Sequence, residues 1–141
     1  MQSQLVAFLT KNNFLSVHQS GFRKKYSPET ATVHFVDHIL EQMDKQRITG
    51  CTFLILKKAF DLVDDHCLLH KLGNIMELES LKWFEDYLTT RTQKVKYNQN
   101  VSSSLGIGYR VPLGSILSPI LFVIYINDLP QILLTTSIGM Y

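Results

Sequence analysis

From Ile116 to Asp128 the chain is apolar on almost every side, and this run constrains the fold more than any other. A helix without a polar face has nothing to present to water, so it must be buried inside a core. Pro119 falls near the start of the run, where a helix tolerates proline because the missing N–H has no intrahelical partner anyway. Leu129-Pro130 ends the run. Its longest purely apolar part, Ile120 to Ile126, is far too short to span a bilayer. The N-terminus lacks a basic segment followed by a long apolar region, so no secretory signal is read there. The expected location is intracellular, cytoplasmic or nuclear, with no membrane partner.

With 141 residues, 45% hydrophobic and 18% charged, the chain suits one globular unit with one modest core. A net charge of +2 is too small to mark a nucleic-acid binder by itself. Cations gather locally instead, in Arg23-Lys24-Lys25, Lys57-Lys58 and Arg91 to Lys96. Cys51 and Cys67 have no metal-binding spacing and make no disulfide framework.

The other organising stretch is Thr52 to Asp61, with Asp64-Asp65-His66 just behind it. Phe53 to Leu56 is apolar and β-prone and reads as a buried strand opened by Gly50. Two lysines then lead into an acidic turn. Acids and bases at the end of a buried strand build phosphate or metal sites. Aspartates also favour the positive end of a following helix, and the residue types leave both readings open.

The remaining elements follow from spacing and caps. Leu5, Val6, Phe8 and Leu9 suit a short amphipathic helix ended by Asn12-Asn13. Ser16 to Lys25 is aperiodic and reads as an extended loop in which Gly21 permits a turn. Ser27-Pro28-Glu29 starts a helix whose apolar face is Phe35, Val36, Ile39, Leu40 and Met43. Asp64 or Asp65 caps another, with Leu68, Leu69 and Leu72 inward and Gly73 as the stop. Leu81, Phe84 and Leu88 mark a helix over Glu79 to Thr89, with its aromatics read as core. Thr92 to Tyr97, the turn Asn98-Gln99-Asn100 and Val101 onward read as a hairpin. Its outer face, with Arg91, Lys94 and Lys96, suits either a nucleic-acid backbone or protection of a strand edge. Ile132 to Tyr141 reads as another β-prone segment. His34 with His38, and His66 with His70, are spaced four apart but read as ordinary surface histidines.

Several of these stretches, in order, resemble one family. Thr52 to Asp61 is similar to the F-L-D-L-x-K-A-F-D segment of reverse transcriptases from non-LTR (LINE-type) retrotransposons. Gln19-Ser20-Gly21-Phe22-Arg23-Lys24, Trp83-Phe84-Glu85-Asp86-Tyr87-Leu88, Val111 to Leu117 and Tyr125-Ile126-Asn127-Asp128-Leu129-Pro130 match the same family in order and spacing. The resemblance implies an α+β fold: a partial fingers and palm, with helices packed on a small, mostly antiparallel sheet. Residues 1–141 would form a reverse transcriptase domain truncated at both ends, without the thumb. The paired-aspartate hairpin that follows the position of Tyr141 in the family would also be missing.

The resemblance also assigns roles. Arg23 and Lys24 would lie near phosphate, though the reading of that stretch as a solvated basic loop stays open. An arginine usual in the family falls at Tyr26. Ala59 and Phe60 would lie under an incoming nucleotide, Phe60 as a gate against a ribose 2′-hydroxyl, with Val111, Pro112, Gly114 and Ser115 beside it. Leu113 stands where the family has glutamine, and Arg110 where it has glycine. Lys57, Lys58, Arg91, Lys94 and Lys96 are the candidates for a nucleic-acid backbone.

One departure decides the expected chemistry. Nucleotidyl transfer uses two divalent metals about 4 Å apart, held by carboxylates because hard cations want anionic oxygen. Where the family has its first metal-binding aspartate this chain has Ile55, and Asp61 lies too far along to substitute. The family uses Mg²⁺, but no cofactor and no catalytic residue are expected for this chain. The sequence implies an inactive polymerase remnant with weak affinity for an RNA or DNA template–primer. The alternatives are a protein-interaction module with an unidentified partner, or an unstable relic.

Overall fold

The computed structural model describes residues 2–107, 111–112, 114–132 and 137–140. Arg110, Leu113 and Tyr141 lie outside the described residues. The chain forms two compact units, one built from Ser3–Lys57 and the segment from Ile126 onward, the other from Lys58–Tyr125. The class is α+β, with six α-helices and two short antiparallel ladders among the described residues. No helix among these residues is long and apolar enough to cross a membrane.

The second unit holds most of the core. A 3-10 turn, Ala59–Leu62, leads into α3, Asp65–Gly73. Asp64 caps α3 by accepting from the Cys67 N–H at 2.8 Å, which satisfies a donor that the first helical turn leaves open. Helix α4, Leu78–Thr89, packs against α3, with Leu68 and Leu72 facing inward from one and Phe84 and Leu88 from the other. Gly73 is not the left-handed stop that the sequence suggests: α3 passes into Asn74 in right-handed helical geometry. The glycine leaves room instead, since a Cβ there would meet Leu81 Cδ2 at 3.3 Å. Helix α5, Ser118–Ile126, answers the demand of its sequence: Ser118 and every residue from Ile120 to Ile124 are buried. The Lys71 ammonium donates to the carbonyl of Tyr125 and lies 5.2 Å from the Tyr125 ring centroid. A cation there complements the negative end of α5.

Between α4 and α5 the chain makes the expected hairpin. Strand β1, Thr92–Gln93, pairs antiparallel with β4, Leu105–Gly106. Strand β2, Lys96–Tyr97, pairs with β3, Asn100–Val101, so Asn98 and Gln99 form the loop. Asn98 takes a φ of 54°, a left-handed geometry that asparagine tolerates well. All eight strand residues are exposed, so the apolar core of this unit comes from its helices.

The first unit contains α1, Gln2–Lys11, with Leu5 and Leu9 buried, and α2, Pro28–Asp44. Ser27 and Thr30 form a reciprocal capping box at the start of α2, and Pro28 is its first residue. A short helix α6, Leu129–Ile132, follows Asn127 and Asp128. Two expectations are overturned here. Helix α2 has no buried residue: Phe35, Val36, Leu40 and Met43 are exposed. Phe53 to Leu56 forms no strand, and Ile55 is 93% exposed. The cause of the second is lateral: a strand is stabilised by its ladder, and no described segment pairs with this one. The Phe35 and Phe53 rings meet edge-on at 5.5 Å, which leaves most of both surfaces in water.

Burial predicts a sharp contrast between two aliphatic positions. Leu121→Ala, at a fully buried site, should cost about 2–5 kcal/mol in urea denaturation. Ile55→Ser should stay within about 0.5 kcal/mol of the parent chain.

Candidate nucleotide and nucleic-acid site

In the second unit, two of the stretches singled out from the sequence meet. Lys58 takes a φ of 56°, and the reversal at this residue starts the 3-10 turn bearing Ala59 and Phe60. The Lys58 carbonyl accepts from the N–H groups of Asp61 and Leu62, which closes the turn. The Phe60 carbonyl accepts from the Val111 N–H at 3.2 Å, and its ring lies 4.8 Å from that of Phe122 in α5. A backbone hydrogen bond therefore joins turn and loop, and the half-buried Phe60 ring ties the turn to α5.

The loop itself is held from within. Gly114 has a φ of +79°, where a side chain would be strained. The Ser115 hydroxyl lies 2.7 Å from the Tyr87 hydroxyl and accepts from the Leu117 N–H at 3.2 Å. Ser118 donates through its hydroxyl to the Pro112 carbonyl. Trp83 stacks on Tyr87 at 5.2 Å and 11°, so part of the aromatic stripe of α4 stays outside the core while Phe84 is buried.

The basic hairpin divides. Lys94 and Lys96 are exposed, two residues apart in sequence. Arg91 is turned inward: its Nη2 reaches both carboxylate oxygens of Asp65, at 3.3 and 3.1 Å, and its Nε donates to the Leu88 carbonyl at 2.8 Å. Arg91 therefore does not belong with the outward-facing cations. It neutralises a carboxylate whose side chain is only 3% exposed.

In the first unit, Arg23 is half-buried and equally committed. Its Nη1 donates to the carbonyls of Ser16 and Gln19 at 2.9 and 3.0 Å, and its guanidinium sits 4.6 Å from the Tyr26 ring centroid. Lys24, Lys25 and Lys57 are exposed in this unit, as is Lys58 in the other. The polar clips Asp65 with Arg91 and Lys71 with Tyr125 each join residues far apart in sequence, which no local pattern announces. The basic and acidic residue types were their only local signal.

The family model described as "Reverse transcriptase (RNA-dependent DNA polymerase)" matches residues 1–141. The chain belongs to the reverse transcriptase family. It is 27% identical over 128 residues to "Probable RNA-directed DNA polymerase from transposon X-element" of Drosophila melanogaster, covering 91% of this chain and 14% of that protein. The same figures hold for "Probable RNA-directed DNA polymerase from transposon BS" of that organism. "RNA-directed DNA polymerase from mobile element jockey" of Drosophila funebris is 30% identical over 113 residues, 80% of this chain and 12% of that one. The chain thus spans a small part of these relatives, and the reading of a non-LTR retrotransposon origin agrees with all three.

Ile55 offers hydrocarbon, and no three His, Cys, Asp or Glu side chains converge among the described residues. An isoleucine side chain supplies no anionic oxygen to a hard cation.

The buried ion pair sets a pH dependence. Burial pushes the Asp65 carboxyl above its ordinary 3.8, and the charge and hydrogen bonds of Arg91 pull it back in part. A raised folded value means that the Asp65 contribution to stability is complete below 3.8 and is lost as pH rises through the folded value. The capping Asp64 runs the other way: the Cys67 N–H lowers its value, and its contribution is lost as pH falls through that lowered value. Arg91→Ala should cost about 3–5 kcal/mol at neutral pH, because it strands a buried charge. The cost should shrink in acid as Asp65 protonates, and urea titrations across pH check both.

Proposed function

We propose that this reverse transcriptase domain binds nucleic acid without polymerising it. The observation that carries the proposal is Ile55, which stands where the family motif has a metal-binding aspartate and supplies no oxygen. Leu113 and Arg110, in place of glutamine and glycine, count in the same direction from sequence alone. The joined turn and loop, Ala59-Phe60 with Val111 to Ser115, are consistent with a nucleotide pocket that has kept its frame. Exposed cations that suit phosphate are Lys94, Lys96 and Lys58 in the second unit and Lys24, Lys25 and Lys57 in the first. The ligand would be an RNA or DNA template–primer, held mainly through its backbone and hence sensitive to salt.

A second reading, as a protein-interaction module, draws on the exposed apolar residues of α2 and of Phe53 to Leu56. Capture of one protein partner independent of salt would favour it.

Purified chain with magnesium, deoxynucleotides and primed RNA should give no primer extension above background. Extension would overturn the inactive reading. In a duplex-binding titration, Lys94→Ala with Lys96→Ala should lower the log–log salt slope by about 1–2. No binding at low salt would remove the nucleic-acid reading.

A further inference from the structure

The motif Tyr125 to Pro130 contains a side chain that the nucleotide reading does not use. A single carboxamide, that of Asn127, brackets the start of the basic loop in the first unit. Its Nδ2 donates to the Phe14 carbonyl at 2.6 Å, and its Oδ1 accepts from the Ser16 N–H at 2.7 Å. The side chain thus acts as a neighbouring strand would, filling one acceptor and one donor two residues apart.

The bracket is linked directly to the cationic part of the loop through Ser16. The N–H of Ser16 is taken by Asn127, and its carbonyl by Arg23. Arg23 also holds the Gln19 carbonyl, while Gln19 donates through its amide to the Gly21 carbonyl at 3.0 Å. On the other side, Met140 donates its N–H to the His18 carbonyl at 2.8 Å and accepts from the Ser20 N–H at 2.7 Å. The loop needs this support. Phe22 and Lys25, on either side of Arg23-Lys24, have φ values of 56° and 75°, conformations that residues with a Cβ adopt only under constraint. Such strain persists where the surroundings over-determine it.

We propose that Asn127 is the positioning residue of this loop, keeping Arg23 on its carbonyls and so presenting Lys24 and Lys25 to a phosphate backbone. The binding half rests on the nucleic-acid reading above; the bracket does not. Removing the carboxamide frees both groups at Phe14 and Ser16, and with them the anchor of Arg23.

The test compares the unsubstituted chain with Asn127→Ala in two measurements. In amide hydrogen exchange by NMR, Asn127→Ala should speed exchange at Ser16 and Ser20 about tenfold, with Leu68 and Leu121 unchanged. In titration with a labelled RNA–DNA hybrid duplex, affinity should fall about tenfold, and the salt slope by about 1–2, as two lysines leave the phosphates. A purely structural defect would loosen the whole chain and would not lower the slope selectively. Unchanged exchange at Ser16 overturns the bracket. Faster exchange with unchanged affinity and slope overturns its role in presentation. If the unsubstituted chain does not bind duplex, the nucleic-acid reading falls together with the presentation, and the exchange result still decides the bracket. If Asn127→Ala does not fold, the side-chain amide of Asn127 in the unsubstituted chain decides it: slow exchange supports the bracket, and free exchange overturns it.

Discussion

Burial of α5 is the constraint on which the second unit depends. Its run of aliphatic residues and Phe122 has no face that water can solvate, and each such side chain taken from water contributes about 1.5–3 kcal/mol. Other groups are arranged around that requirement. Lys71 answers the carbonyl end of the helix, Ser118 ties its beginning to Pro112, and Phe122 receives the ring of Phe60. The Ala59–Leu62 turn is thus positioned by packing against α5. A polymerase fold and a polymerase active site are separable, because one depends on apolar volume and the other on a few oxygens.

Polar groups inside the core follow the same economy of partners. Asp65 is tolerated because Arg91 meets both of its oxygens, and Arg91 is tolerated because Leu88 offers a carbonyl. Removing either half leaves the other stranded, which is why such a pair resists change while contributing little net stability. The arrangement also shows why a count of cations overstates the surface available to phosphate. Arg91 and Arg23 are committed largely to internal carbonyls and carboxylate, while Lys24, Lys25, Lys94 and Lys96 are exposed.

What could be read from the residues is what short-range physics decides. The capping box at Ser27 and Thr30, the cap at Asp64, the hairpin loop at Asn98 and the burial of α5 each depend on neighbours within a turn or on one helical surface. The expectations that failed depend on distant partners. Phe53 to Leu56 has every local property of a strand and lacks a ladder among the described residues. The apolar face of α2 is correctly periodic and remains uncovered. The site was legible to the same extent: Phe60 and the Val111 loop were singled out separately, and their hydrogen bond is a tertiary fact. The Asn127 bracket joins residues 111 and 113 positions apart, a relation invisible to periodicity.

The uncovered run at Phe53 to Leu56 has a consequence for the chain in bulk. Its peptide groups join no ladder among the described residues, and the segment is uncharged, β-prone and free of proline, the composition that favours cross-β stacking between identical molecules. Lys57 and Lys58 at its end act as gatekeepers, since in-register stacking would pile their charges on one another. The balance between that repulsion and the pull of the run shifts with ionic strength. Concentrated salt screens the lysines and so weakens that repulsion.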